Sequence, residues 1–167
     1  GPTLNEHIED IRELQRQGGK VVALANTAHI LVNNDIKPNA HVFLDAKHRN
    51  AEFILNGVET TFFISSQCDP KVFERAEETG NKSFLWHGVN NDQELEVIHE
   101  KGEPWVPVQS GSTITMRSMR LFNILCYKNM HLFGFDSCYK DGAHHGYEQP
   151  DADKHKVVNL EFEGRNF

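Results

Sequence analysis

Three stretches of this chain are apolar almost without a break, and they constrain its fold more than anything else in it. Residues 20–25 read KVVALA, 41–44 read HVFL and 60–65 read TTFFIS. A strand with one wet face alternates apolar and polar residues. A strand covered on both faces does not, and parallel sheets flanked by helices are built from such strands. Shorter strand-like runs follow at 82–86, 104–108 and 130–135. Helical stretches lie between them: Leu4, Ile8, Ile11 and Leu14 recur at helical spacing, and residues 91–101 read as a solvated surface helix. Strand–helix alternation of this kind implies an α/β domain with a doubly wound, mostly parallel sheet and helices on both faces. Residues 156–162 alternate and suit a terminal strand, an antiparallel candidate at the sheet edge.

In open α/β sheets, ligands gather outside the carboxyl ends of the strands. The polar residues that follow each apolar run are therefore the first candidates for a site. Asn26 follows the first run, where it can contact a base or ribose or cap a short helix at 28–33. Asp45 follows the second, where a carboxylate can hold magnesium against phosphates or bind a ribose hydroxyl. Asp69 precedes Pro70 and reads as the cap of a helix over 71–78.

Residues 109–147 form the longest candidate unit. A small-residue turn, Ser110-Gly111-Ser112-Thr113, opens an amphipathic run to about Tyr127. The strand 130–135 ends on Asp136 and a polar loop with Tyr139, His144, His145 and Tyr147. Gly111 has no Cβ, so backbone can approach a ligand closely, and the first amides of a helix lack partners inside it. That suits a phosphate. The turn alone reads equally well as a helix N-cap at Ser110 or Ser112.

The order and spacing of these motifs carry a resemblance. Gly111-Ser112-Thr113, a helix, then LFGFD ending on Asp136 with Tyr139 three residues on, and His145-Gly146-Tyr147, with Gly1-Pro2-Thr3-Leu4 at the start, resemble the MptE-like family. Its namesake is the archaeal 6-hydroxymethylpterin diphosphokinase. The pattern is also similar to the central domain of the Maf flagellin glycosyltransferases and, more distantly, to bacterial sialyltransferases that use a CMP-sugar. The resemblance runs from Gly1 to about Tyr147 and implies a Rossmann-like fold. It implies that Gly1, Pro2 and Thr3 lie against a nucleotide, that Asn26 contacts it, and that Gly111, Ser112 and Thr113 take its phosphates. The family connection G-I-x-P-D appears here with Asp35 for Gly and Asn39 for Asp, so the chain lacks the last acidic residue of that pattern. A fold of this kind places a strand just upstream of the GPTL turn. Residues 1–167 are thus expected to form a single domain lacking that first strand.

Composition narrows the partners. With 17 basic and 24 acidic residues the formal net charge is −7, which disfavours non-specific binding to nucleic acid or anionic membrane. Three cysteines, Cys68, Cys126 and Cys138, form no paired motif, so reduced thiols in a cytoplasmic protein are expected. No apolar run reaches membrane-spanning length. The phosphate-binding G-x-x-x-x-G-K-[ST], the dinucleotide G-x-G-x-x-G and the hydrolase G-x-S-x-G are all missing. Asp151-Ala152-Asp153 lies in a charged tail and reads as a solvated loop. Cys138, His144 and His145 match no standard zinc spacing.

The expected activity is nucleotide-dependent group transfer. The leading reading is a glycosyltransferase that passes a sugar from a nucleotide-sugar, CMP-linked in one version, to a hydroxyl on a small molecule or glycan. The first alternative is a magnesium-dependent diphosphokinase that gives the diphosphate of ATP to 6-hydroxymethylpterin. The second is a nucleotide-binding module without catalysis. Asp136, His145 and Tyr147 are the catalytic candidates: a neutral histidine can take a hydroxyl proton near pH 7, and a tyrosine can donate to a leaving oxygen. Asp45 and Asp136 are the candidate ligands for Mg2+.

Overall fold

The computed structural model describes residues 1–100, 106–109, 111–136, 161–162 and 165–166. The chain forms two compact units, one of Gly1–Glu6 with Leu132–Phe167 and one of His7–His131.

The larger unit holds a four-stranded sheet of β1 (Val22–Leu24), β2 (Ala40–Phe43), β3 (Thr61–Ser65) and β4 (Ser83–Trp86). Every pairing is parallel and the order is β1-β2-β3-β4, with Val22 opposite Ala40, Ala40 opposite Thr61 and Phe62 opposite Ser83. A parallel bridge from Gly88 to Val108 extends the edge beyond β4. The uninterrupted apolar runs are explained by what covers the two faces. Phe43, Phe62 and Ile64 pack with Val72 and Ala76 of α3 (Pro70–Glu78) and with Ala51 and Phe53 of the 3-10 segment His48–Phe53. Ala40 and Val42 point the other way, onto Leu121 and Phe122 of α5 (Ile114–Ile124). All four residues of β2 are buried, as a strand sandwiched between helices requires. The fold is α/β, with a Rossmann-like parallel sheet and helices on both faces.

The remaining helices are α1 (Ile8–Arg16), α2 (Thr27–Asn33) and α4 (Asp92–Glu100). Helix α1 buries Ile8 and Ile11, and two of its side chains reach the turn after α2: Arg12 donates to the Asn34 carbonyl and Gln15 to that of Lys37, both at 2.8 Å. Helices α1, α2 and α5 share one ending. A left-handed residue follows each cap: Gly18 at φ 93°, Asp35 at φ 58° and Cys126 at φ 70°. The next amide then returns to the carbonyl five residues back, Gly19 to Leu14, Ile36 to Leu31 and Tyr127 to Phe122, each at 2.9 Å. This is the Schellman arrangement.

Several expectations are corrected. The helical spacing that starts at Leu4 begins in a 3-10 segment, Pro2–His7, and α1 itself begins at Ile8. The turn before α5 is capped by Thr113, not Ser112, because the Thr113 hydroxyl reaches the Met116 amide at 3.3 Å. Residues 130–135 are apolar enough for a strand but take no place in a ladder among the described residues. At the carboxyl end of the chain, β5 (Glu161–Phe162) pairs antiparallel with β6 (Arg165–Asn166), while residues 156–160 of the expected terminal strand lie outside the described residues.

Candidate functional site

The smaller unit gathers the first candidates. The amide of Thr3 donates to Oδ2 of Asp136 at 3.1 Å, across 133 residues of sequence. The Gly1 nitrogen donates to the Gly134 carbonyl and stands 3.7 Å from Oδ1 of Asp136. A Cβ at Gly1 would fall 1.8 Å from that same Oδ1, so the glycine leaves room for the carboxylate. Gly134 is left-handed at φ 67°, and a Cβ there would meet Leu4 at 3.0 Å. Asp136 therefore shapes the Gly1-Pro2-Thr3 loop: its carboxylate accepts from the loop backbone and fills the space a side chain at Gly1 would need.

In the larger unit the parallel topology places the other candidates along one sheet edge. Asn26 follows β1, Asp45 follows β2, Ser66 follows β3, and His87 and Gly88 follow β4. The turn at Gly111, Ser112 and Thr113 comes three residues after the Val108 bridge. Asp45, Gly111, Ser112 and Thr113 are exposed and Asn26 is half-buried.

Local structure narrows what several of them do. Asn26 occupies the cap position of α2, but its side chain makes no capping bond. Thr27, the first helical residue, bonds back to β1 instead, its hydroxyl accepting from the Leu24 amide at 2.8 Å and donating to the Leu24 carbonyl at 3.0 Å. Just before Asn26, Ala25 is left-handed at φ 46°. The buried His41 holds that kink from below, Nε2 facing the Ala25 carbonyl. A carbonyl can only accept, so Nε2 carries the proton. Burial pulls the His41 pKa down to about 4, and the imidazole is neutral at pH 7. Asn39, which stands for the family's Asp, accepts the Val21 amide at 2.9 Å, a structural task that either oxygen could perform.

Glycine at 111 also has a packing reason. A Cβ there would lie 2.3 Å from Sδ of Met116 and 2.9 Å from its Cβ, so Met116 already fills the space. The turn still opens a helix: Thr113 satisfies the Met116 amide, and the helix supplies no partner for the amides of Ile114 and Thr115.

Two groups were not singled out in the sequence. Nδ1 of His87 lies 2.8 Å from the Ser66 hydroxyl, which joins the ends of β3 and β4. Arg117 is buried in α5, where Nε donates to the Gly111 carbonyl at 3.3 Å and Nη2 to Oδ1 of Asn90. Its signal was available, since Ile114, Arg117, Ser118, Leu121 and Phe122 follow the helical repeat and put an arginine on the inward face. Among the described residues no group of three or more His, Cys, Asp or Glu gathers as a metal site. His145 and Tyr147, with Tyr139 and His144, lie outside the described residues. No helix of the described residues is long and apolar enough to cross a membrane.

A family model described as 6-hydroxymethylpterin diphosphokinase MptE-like matches residues 1–142. That span includes the Gly1-Pro2-Thr3 loop, the Gly111 turn and Asp136. Neither the curated proteins nor the solved structures contain a match.

Proposed function

The chain belongs to the MptE-like family, and on that premise we propose that it is a diphosphokinase-type transferase. It moves the diphosphate of a nucleoside triphosphate to a hydroxymethyl group on a pterin-like heterocycle. The observation that carries this reading is the span of the family match, which takes in the loop, the turn and Asp136 together.

The chemistry balances with few parts. The acceptor oxygen attacks the β-phosphorus, the bond from that phosphorus to the α,β-bridging oxygen breaks, and the nucleoside monophosphate leaves. The acceptor proton passes to a base, for which His145 is the sequence candidate, with Tyr147 as a donor to the leaving oxygen. Most of the rate in such transfers comes from positioning and charge stabilisation. The amides of Ile114 and Thr115 and the hydroxyls of Ser112 and Thr113 suit phosphate oxygens, and the uncommitted Asn26 amide suits base or ribose. Magnesium binds through one or two carboxylates with substrate phosphates, and exposed Asp45 at the end of β2 fits that habit. When bound, the ion offsets charge on the transferred group.

A second reading, sugar transfer from a nucleotide-sugar, is favoured by one observation. Asp136 is engaged by the Thr3 amide, a loop-ordering task that requires no metal. Thermal-shift titrations with CMP, CTP, ADP, ATP and GTP, with and without magnesium, separate the two. A ligand that binds the folded state raises its melting temperature. A magnesium-dependent shift with ATP or GTP, followed by AMP or GMP release on adding 6-hydroxymethylpterin, supports the diphosphokinase. A metal-independent shift with CMP or CTP favours sugar transfer. No shift with any nucleotide overturns both.

A further inference from the structure

Arg117 carries more positive charge than its surroundings use. The residue is 4% exposed, yet among the described residues no carboxylate stands within salt-bridge distance of it. Two of its donors are engaged, Nε by the Gly111 carbonyl and Nη2 by the Asn90 amide oxygen. Nη1 is buried and has no hydrogen-bond partner among the described residues. Glu94 feels the Arg117 charge but forms no ion pair with it. Glu94 accepts the Asn90 amide at 2.7 Å and the Asn90 side chain at 3.0 Å, so its oxygens face Asn90. A buried guanidinium bound only to neutral oxygens is costly unless an anion compensates it.

Its position says what the anion would be. Nη1 lies against Gly88, where an added Cβ would fall 2.6 Å away, and Gly88 is two residues past the end of β4. Nε holds the carbonyl of the exposed turn that opens α5. The guanidinium thus ties together two segments at the carboxyl edge of the sheet, behind the helix amides that suit a phosphate.

We propose that Arg117 is the charge-recognising residue of this edge, binding a phosphate oxyanion of the nucleotide or of the diphosphate it carries. The neutral oxygen of Asn90 holds its place until the anion arrives. Asn90 is exposed, so an oxyanion can displace its amide and meet the planar fork of the guanidinium. The inference rests on the reading of this edge as a nucleotide-phosphate site and names the residue that reads the charge.

The test is calorimetric titration of inorganic pyrophosphate and of ATP, at fixed ionic strength, into wild type, Arg117→Met and Gly88→Ala. Met keeps much of the side-chain volume without the charge, and its ligand-free melting temperature is expected to match or exceed wild type. Arg117→Met is expected to weaken both ligands about 10- to 100-fold, the range for a lost charge-assisted hydrogen bond. Gly88→Ala puts a methyl 2.6 Å from the present position of Nη1, which must move, and is expected to weaken them in the same direction. It carries the test if the Met variant does not fold. Wild-type affinity for pyrophosphate in Arg117→Met, or in Gly88→Ala when that variant alone folds, overturns the inference and leaves the nucleotide reading standing if ATP still binds. A wild-type protein that takes no pyrophosphate also overturns it, and the ATP arm then decides the nucleotide reading separately.

Discussion

The Thr3 amide donates to the Asp136 carboxylate at 3.1 Å, so a residue near the start of the chain is ordered by one 133 positions later. Charged acceptors make stronger bonds than neutral ones, about 1.5–3 kcal/mol each. Asp136→Ala is therefore expected to speed hydrogen exchange at the Thr3 amide about 10- to 100-fold. Asp136→Asn retains an oxygen and should lie between the two. Equal exchange at Thr3 in wild type and Asp136→Ala would show that the carboxylate does not order the loop.

His41 gives the fold a pH dependence with a defined sign. Its pKa is drawn from 6.5 to about 4, mainly by burial, against the opposing pull of the Ala25 carbonyl. The unfolded chain then binds the proton more readily than the native state. The contribution is fully present above about pH 6.5 and is lost as pH falls toward 4, reaching about 3 kcal/mol by linkage. His41→Gln keeps a donor for Ala25 and removes the titration. Urea melts between pH 7.5 and 4.5 should show wild type losing stability faster than the variant. Parallel slopes would rule out a neutral, buried His41.

How much of this could be read beforehand depends on the physics behind each feature. The parallel sheet was legible because burial on both faces leaves an uninterrupted apolar run, as in Val42 and Phe43, whose side chains point to opposite layers. The Asp69 cap was legible because it is local: its carboxylate meets the Lys71 amide two residues on, at 2.9 Å. The cap of α5 was less so, since Ser112 and Thr113 carry the same chemistry and only backbone geometry selects one. The stretch 130–135 misled because apolarity marks burial while a strand also requires a hydrogen-bonded neighbour. Asp136 stood out because it ends an apolar stretch, but the fit of its carboxylate into the space beside Gly1 is a tertiary contact with no local trace. Arg117 was visible on the inward face of its helix, while its partners Gly111 and Asn90 were not.

The shared helix ending makes two stabilising substitutions predictable. Asp35 at φ 58° and Cys126 at φ 70° hold a conformation that costs most residues about 1 kcal/mol and glycine nothing. Asp35→Gly and Cys126→Gly are each expected to raise stability by about 0.5–1 kcal/mol, with the smaller gain at Asp35 because aspartate tolerates this region better. The two sites end different helices, so the double variant should be additive. Chemical denaturation decides it: a loss in either single variant would mean that the native side chain contributes more than the backbone strain costs.

Gly111 offers a direct way to separate packing from ligand approach. A methyl there would press on Sδ, Cε and Cβ of Met116 at 2.3, 2.5 and 2.9 Å. The first two atoms are the mobile end of a flexible side chain, but Cβ cannot swing away. Gly111→Ala should therefore destabilise the ligand-free protein by about 1–3 kcal/mol, the usual range for overpacking. Met116→Ala keeps its Cβ but removes the thioether, so Gly111→Ala with Met116→Ala should recover part of that loss, a coupling that a double-mutant cycle measures. If Gly111→Ala instead leaves stability unchanged while nucleotide affinity falls, the glycine is there for the ligand and Met116 yields to the methyl.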